Sequence, residues 1–310
     1  MITIPTVFIL GAGSNISYGF PTGFKLLNEI NESLNNPNHK WWDIIRNLNI
    51  PEVDVISFKD ELILSGQPSI DSFLEHRSEY LSIGKIIIAL AIASHENQQR
   101  LTDLSVRESG FYHYLFNKLN TSKTEFPDNT LSIITFNYDR SFEQFLYLSL
   151  KHSWNISDDE SRSIIDTIPI VHVHGSLGLL PWQGKPFREY SRTYSADDIQ
   201  YSSEQIKIIS EGIYTSLEFK HAHELLLNAK KIHFLGFGYN STNISRLNVE
   251  SSSQEKQLIN MYSMKYYRMT GTSMGLGLSE REDVQSKWGI KLDDMGLNCL
   301  DYLKTYGNLK

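Results

Sequence analysis

The stretch FILGAGSNISYGFPTG (residues 8–23) decides the fold. It completes the β-branched and aromatic run TVFIL, which predicts a buried β-strand ending just before Gly11. Gly11 and Gly13 then allow a tight turn that exposes backbone N–H groups where a helix should begin. A strand followed by a glycine-rich turn and a helix is typical of α/β sheets that bind nucleotides. The sequence therefore predicts an α/β fold with a ligand at this turn.

The turn departs from the dinucleotide-binding fingerprint of dehydrogenases. That fingerprint requires a small residue three positions after the second glycine, and Ile16 occupies this position. Hydride transfer is therefore disfavoured. The chain continues instead with Gly19-Phe20-Pro21. On its own, a Gly-Ala-Gly turn is equally consistent with a plain connection between a strand and a helix.

A second segment, ITFNYDR (residues 134–140), places polar side chains directly after an apolar run. The run LSIITF predicts another buried strand, with Asn137 and Asp139 at its carboxyl end and an amphipathic helix beginning near Ser141. Open α/β sheets bind ligands at the carboxyl ends of their strands, which favours a binding role for both residues. Either residue alone is also typical of a helix cap, so this segment leaves both interpretations open.

A third segment, VHVHGSLG (residues 171–178), alternates apolar residues with histidines. The alternation predicts that His172 and His174 project from the same face of a strand, with Gly175 at the strand end. A histidine at this position can accept a proton near neutral pH, because its unperturbed pKa is about 6.5. No cysteine cluster or third ligand lies nearby in the sequence, so we expect no metal site here.

A fourth segment, HFLGFGYNSTN (residues 233–243), again runs from a strand into a glycine-rich turn. Gly236 and Gly238 permit close approach of the backbone to a phosphate or a ribose. Asn240 and Asn243 offer side-chain hydrogen bonds at the same place. This segment therefore predicts a second contact for a nucleotide.

The order and wording of these four segments resemble the sirtuin superfamily, and the fourth is most similar to bacterial sirtuin-like (SIR2-like) proteins of anti-phage defence. The resemblance implies a Rossmann-like, doubly wound and mostly parallel sheet that takes NAD+ as its substrate, with no prosthetic group. It places a catalytic histidine at His174 and a catalytic asparagine at Asn137, and it leaves His172 as a packed, hydrogen-bonded histidine. The binding residues that it implies are Gly11, Ala12, Gly13, Ser14, Asp139, Gly236, Gly238, Asn240 and Asn243.

The whole chain, residues 1–310, is expected to form a single sirtuin-like domain with an α-helical insertion at about residues 36–125. The insertion interrupts the alternation of strands and helices. Residues 69–100 have no internal proline and predict one long helix or two, and residues 108–120 predict another amphipathic helix. We expect these helices to cover the NAD+ cleft. A serine-rich stretch at residues 251–253 predicts a loop.

Composition limits the classes of partner. The chain is 40% hydrophobic and 21% charged, which is ordinary for a soluble globular protein. Its net charge of −7 argues against a broad nucleic-acid-binding surface. The N-terminus lacks the basic and apolar regions of a signal peptide, and the run IIIALAIA (residues 86–93) is too short to span a bilayer. We therefore expect a cytoplasmic protein with no membrane partner and no direct nucleic-acid partner.

The chain has one cysteine, Cys299. It therefore cannot form the four-cysteine zinc module that the protein deacylases of the sirtuin superfamily normally carry, nor an internal disulfide. The Asp-Phe-Arg triplet expected after the Gly-x-Pro of those deacylases is also replaced, since residues 22–25 are TGFK. The resemblance therefore favours a member of the superfamily without a zinc module.

These features favour an NAD+ hydrolase (NADase) that depletes NAD+ in bacterial anti-phage defence by abortive infection. An NAD-dependent protein deacylase and a non-catalytic nucleotide-binding sensor or scaffold are the alternatives. An unregulated NAD+ hydrolase would kill its host, and the sequence contains no recognisable second sensor domain. We therefore expect regulation through a homo-oligomer, through a co-encoded sensor or ATPase protein, or through both.

Overall fold

The computed structural model describes residues 1–208, 216–249 and 267–309. One β-sheet lies at its centre, and its strands are short and largely buried. The strands are β1 (Thr6–Leu10), β2 (Leu131–Thr135), β3 (Ile170–His172), β4 (Lys231–Leu235), β5 (Met269–Gly271) and β6 (Lys291–Leu292). They pair in the order β3-β2-β1-β4-β5-β6. The loop expected at residues 251–253 lies outside the described residues.

The strand order makes the sheet doubly wound. The chain starts at the centre with β1, continues through β2 to β3 on one side, and then builds β4, β5 and β6 on the other. Every strand pairing among the described residues is parallel, and Thr6 lies opposite both Leu131 and Lys231. The predicted α/β, Rossmann-like, mostly parallel fold is confirmed. The strand order reverses between β1 and β4, and open sheets bind ligands at such a switch point.

Helices connect the strands. Between β1 and β2 lie α1 (Gly23–Asn35), α2 (Trp41–Asn47), α3 (Glu52–Leu64), α4 (Ile70–His76), α5 (Leu81–Ala93), α6 (Gln98–Thr102) and α7 (Phe111–Leu119). The later helices of the described residues are α8 (Ser141–Trp154), α9 (Asp158–Ile165), α10 (Ala196–Gln205), α11 (Leu217–Asn228), α12 (Ser241–Leu247), α13 (Leu278–Trp288) and α14 (Cys299–Tyr306). The turn after β1 leads into a 3-10 helix, Ala12–Tyr18, and not directly into the expected α-helix.

Both faces of the sheet are buried. Phe8 and Leu10 of β1 belong to one apolar cluster, which also contains residues of the helices between β1 and β2. Val7 and Ile9, which point to the opposite face, belong to a second cluster with residues of α11 and α12. A parallel sheet covered on both sides needs strands that are apolar at every position, which is why TVFIL does not alternate.

The apolar run at residues 86–93 lies in α5, and all of these residues are buried. The helix packs against α10 on one side and against α1, α3 and α4 on others. A helix that is apolar on all sides is stable in water only when neighbours cover it completely. Among the described residues, no helix is long and apolar enough to cross a membrane.

The carboxylate of Glu96, after α5, is completely buried between two arginines. Arg140 donates to it through Nε (3.0 Å) and Nη2 (2.8 Å), and Arg188 donates to the same carboxylate. Arg140 Nη1 also donates to the backbone carbonyls of Leu179 (3.0 Å) and Arg188 (2.8 Å). The network therefore joins the end of α5, the start of α8 and the segment 178–189.

Replacing Glu96 with glutamine should lower the free energy of unfolding by about 3–5 kcal/mol, because two buried guanidinium groups lose their counter-charge. Urea unfolding at pH 7, followed by circular dichroism, measures the change. Glu52→Gln is the matched control, since Glu52 pairs with Arg46 at 2.8 Å on the surface. Such exposed pairs contribute at most about 1 kcal/mol. Equal losses in the two variants would contradict the prediction.

Candidate functional site

A cleft of about 400 Å³ opens at the switch point between β1 and β4. Its volume lies in the range typical of small-molecule sites. All four segments singled out in the sequence contribute to its wall. The predicted site residues that line it are Gly11, Ala12, Asn137, His174, Gly238, Asn240 and Asn243. The predicted residues that the described structure does not place on the wall are Gly13, Ser14, Asp139 and Gly236.

Asn137 is buried at the carboxyl end of β2. Its side-chain nitrogen donates to the carbonyl of Gly11 (3.2 Å) and to the hydroxyl of Ser14 (3.3 Å). Its backbone N–H donates to the hydroxyl of Thr135 at 3.0 Å. These bonds fix the amide plane against the turn after β1. Ser14 therefore contributes to the cleft by holding the side chain of Asn137 in place.

His174 lines the cleft with only 5% of its surface exposed. Its ring lies 5.3 Å from the ring of Phe136 and 6.2 Å from that of Phe219. Burial, together with the positive charge of Arg246, lowers the pKa of His174 to about 4. Within the described residues, its Nδ1 has no hydrogen-bond partner. The imidazole is therefore neutral at pH 7 and able to accept a proton.

The two histidines of the third segment face different surroundings, so the prediction that they share one strand face is wrong. Strand β3 ends at His172, where the N–H of Gly175 donates to the His172 carbonyl at 3.2 Å and turns the chain. His172 Nδ1 lies 2.9 Å from the Asn137 carbonyl, and its Nε2 lies 2.6 Å from Glu143. The expectation of a packed, hydrogen-bonded His172 is confirmed.

The pKa of His172 is shifted in the opposite direction from that of His174. Burial alone would lower it, but the charge of Glu143 and the hydrogen bonds to Glu143 and to the Asn137 carbonyl together raise the pKa. Both ring nitrogens of His172 are already engaged with these oxygen atoms. This contrast separates a structural histidine from the one that lines the cleft.

Asp139 lies beneath the cleft wall. The side-chain nitrogen of Asn15 donates to both carboxylate oxygens of Asp139 at 2.8 Å. The backbone N–H of Ser141 donates to one of these oxygens at 3.0 Å. Burial raises the pKa of Asp139, against the lowering effect of these hydrogen bonds. The N–H of Ser141 belongs to the first turn of α8, so the carboxylate satisfies a helix terminus, as the capping interpretation expects.

The turns after β1 and β4 touch each other. The N–H of Gly11 donates to the Leu235 carbonyl at 3.1 Å, and that of Gly13 donates to the Gly236 carbonyl at 2.9 Å. These two N–H groups are therefore not exposed for a phosphate, contrary to expectation. A Cβ on Gly13 would lie 2.8 Å from the Gly236 carbonyl oxygen, and one on Gly236 would lie 2.0 Å from the nitrogen of Ser14. Glycine is required here by contact between backbones.

The cleft also has an acidic wall, which the sequence patterns did not predict. Asp71 and Glu75, one turn apart on α4, both line it. Asp71 accepts a hydrogen bond from the hydroxyl of Tyr138, and burial raises its pKa. The spacing of four residues between two acids was a signal that they share a helix face. Nothing in that spacing indicated which element the face would meet.

Arg246 of α12 also lines the cleft and was not predicted. It is 7% exposed and lies 3.3 Å from Glu75. Its Nη1 donates to the side-chain oxygen of Asn243 at 3.2 Å. The pair links α12 to α4, so the helices between β1 and β2 contribute charged residues to the wall of the cleft. Among the described residues, no group of three or more His, Cys, Asp or Glu could hold a metal ion.

Comparison with known proteins adds one finding. A family model described as SIR2-like domain matches residues 131–291, just over half of the chain. The matched region runs from β2 to β6 and includes Asn137 and His174. No curated protein matches the chain.

Replacing Gly236 with alanine should destabilise the protein by at least about 2 kcal/mol, because the Cβ meets the backbone at Ser14 and Gly236 has a φ of +57°. Thermal unfolding measures the effect. Gly238→Ala is the matched control in the same turn, since a Cβ there meets nothing within 4 Å. We expect Gly238→Ala to melt within a few degrees of the unsubstituted protein. A Gly236→Ala protein as stable as the control would show that the turns are not in contact.

Proposed function

Because the chain belongs to the SIR2-like family, we propose that it is an NAD+ hydrolase that cleaves the bond between nicotinamide and ribose. Family membership by itself indicates an NAD-related activity. The products of the proposed reaction are nicotinamide and ADP-ribose. The observation that carries the proposal is the cleft at the switch point, where Asn137 and a neutral, buried His174 line one wall.

The chemistry needs little acid catalysis. In NAD+ the nicotinamide leaves as a neutral ring from a cationic glycoside, so its departure requires no proton. The C1′–N bond breaks, a water oxygen forms the new bond to C1′, and the water gives up one proton. His174 is the group that accepts this proton, and it then releases it to solvent. Asn137, fixed by Gly11 and Ser14, holds the ribose hydroxyls or the water.

The acidic wall supports the same reaction. As nicotinamide leaves, positive charge develops on the ribose, and Asp71 and Glu75 line the cleft on α4. Carboxylates held in place before the reaction stabilise such a charge without reorganisation. Arg246, next to Glu75, is the cation in the same cleft and suits a phosphate of the substrate.

Binding of NAD+ is assigned to the turns that line the cleft: Gly11 and Ala12 after β1, and residues 238–243 after β4. Gly13 and Gly236 support this binding by holding the two turns together. Asp139 supports NAD+ binding indirectly, because its carboxylate holds the side chain of Asn15 in the segment after β1. In sirtuins an aspartate lies near the nicotinamide amide, and we propose the same contact for Asp139 once substrate binding exposes its carboxylate.

The biological role that fits this reaction is depletion of NAD+ in anti-phage defence by abortive infection, in the bacterial cytoplasm. Such an enzyme has to be silent in a healthy cell. We propose that assembly into a homo-oligomer, or binding of a co-encoded sensor or ATPase protein, supplies the control. The helical region at about residues 36–125, which contributes Asp71 and Glu75 to the cleft, is the part of the single domain through which such control can reach the site.

The activity is tested by incubating the assembled protein with NAD+ and separating the products by chromatography. We expect nicotinamide and ADP-ribose in equal amounts without any acylated peptide. His174→Ala and Asn137→Ala should each lower kcat by about a hundredfold or more, because they remove a proton acceptor and a positioning group.

His172→Ala is the matched control, since it removes an imidazole from the same segment but outside the cleft. We expect it to lower thermal stability more than turnover per folded molecule. Nicotinamide release that requires an acyl-lysine peptide would establish the deacylase alternative. Loss of turnover in folded His172→Ala, with His174→Ala active, would transfer the role of base to His172.

The pH dependence follows from the low pKa of His174. With a pKa of about 4, the imidazole stays neutral down to pH 5, so kcat/KM at pH 5.5 should remain above half of its value at pH 7.5. An imidazole with the ordinary pKa of about 6.5 would be only about one-tenth neutral at pH 5.5. Initial rates in buffers of constant ionic strength measure the profile. Enzyme held at each pH and assayed at pH 7.5 controls for unfolding, and an acid limb centred near pH 6.5 would contradict the assignment.

A further inference from the structure

A second cavity, of about 760 Å³, lies outside the cleft. It is a groove between α7, α8 and α14, closed at one end by α6, and it shares no lining residue with the cleft. Four side chains that carry basic nitrogens line this groove. They are Arg107, His113, His152 and Lys304. The lining contributed by the described residues contains no Asp or Glu.

The two permanent cations of the groove are unpaired. Within the described ranges, neither Arg107 nor Lys304 forms a salt bridge with a carboxylate. Asp301, one turn before Lys304 on α14, is engaged with Asn298 at the start of that helix. The chain as a whole has a net charge of −7. A positively charged concave surface on a negatively charged protein concentrates anions locally.

His113 lies in the wall of the groove. Its Nδ1 is buried in the wall of the groove and has no hydrogen-bond partner among the described residues. Its ring packs edge-on against Phe145, with ring centroids 4.7 Å apart, so the ring is held in one orientation. His113 therefore shapes the wall of the groove, and its buried Nδ1 is not reached from the groove.

The floor of the groove is apolar and its rim carries amides and hydroxyls. Phe116, Phe145 and Leu300 form the floor, and Asn117 and Ser149 lie among the polar lining residues. A volume near 760 Å³ is far more than a phosphate ion fills and is typical of sites for drug-sized molecules. An apolar floor with cations above it fits a molecule that has both a flat organic part and a phosphate.

We propose that this groove binds a phosphorylated small molecule of nucleotide size, with Arg107 and Lys304 holding the phosphate. The organic part of the ligand lies on the apolar floor formed by α7, α8 and α14. The site is distinct from the proposed NAD+ cleft and does not depend on the reaction catalysed there.

The probe for this site is ADP, measured by isothermal titration calorimetry on the whole chain. We expect saturable binding that Lys304→Glu and Arg107→Ala each weaken by about tenfold or more, because each removes a charged contact to phosphate. Lys220→Glu, on the exposed part of α11, changes the net charge as Lys304→Glu does and should leave binding unchanged. All of these positions are exposed, so thermal unfolding should confirm that the variants are folded.

Inorganic phosphate and adenosine serve as the comparison ligands. Binding of ADP that exceeds that of either fragment supports a nucleotide-sized ligand. Equal binding of phosphate and ADP would overturn the ligand class, and absence of saturable ADP binding would overturn the site. If Lys304→Glu, Arg107→Ala and the unsubstituted protein bind ADP equally well, then ADP binds outside the groove. If Lys304→Glu instead abolishes self-association, without any ADP binding, the groove is an interface between copies of this chain.

Discussion

The buried carboxylate of Glu96 is the constraint on which the arrangement of the cleft depends. It is bound by Arg140, whose neighbour Asp139 lies at the start of α8, and by Arg188 in the segment that follows β3. One anion therefore fixes the helices before β2 relative to the sheet and to the loop that follows His174. Two guanidinium groups have lost their water at this point, and the pKa of Arg188 is lowered by that burial. Such a network has little tolerance for displacement, because any movement leaves a buried charge unpaired.

Much of the fold follows from local patterns in the sequence. Most residues of strands β1, β2 and β4 are apolar, and a glycine or asparagine follows each strand within two residues, so both their burial and their ends could be predicted. A parallel sheet brings the carboxyl ends of neighbouring strands together, which is why Asn137, His174 and the two glycine turns meet at one cleft. The 3-10 helix after β1 could not be predicted, since it depends on Tyr18 stacking against Tyr112 far along the chain.

The parts of the candidate site that the sequence did not reveal depend on long-range packing. Asp71 and Glu75 come from α4, and their position over the cleft is set by Tyr138 and Arg246, which belong to distant segments. The contact of Asp139 with Asn15 was equally hidden, because the two residues lie 124 positions apart. Gly13 and Gly236 were expected to leave space for a ligand. Instead, the absence of a side chain at each position lets the backbones of the two turns pack against each other. The periodicity of a sequence identifies which face of a helix or strand is buried, but not which residues cover that face.

The position of β1 has a consequence for how the protein is made. It is the first strand of the sheet to leave the ribosome, and it is also the central strand, yet its neighbours begin only at Leu131 and Lys231. Pairing over such long separations is slow, because the intervening chain must be closed into a loop before any contact is gained. The two turns that form the cleft therefore meet only after β4 has been synthesised. A nascent chain that is interrupted before that point therefore lacks the assembled cleft and any function that requires it.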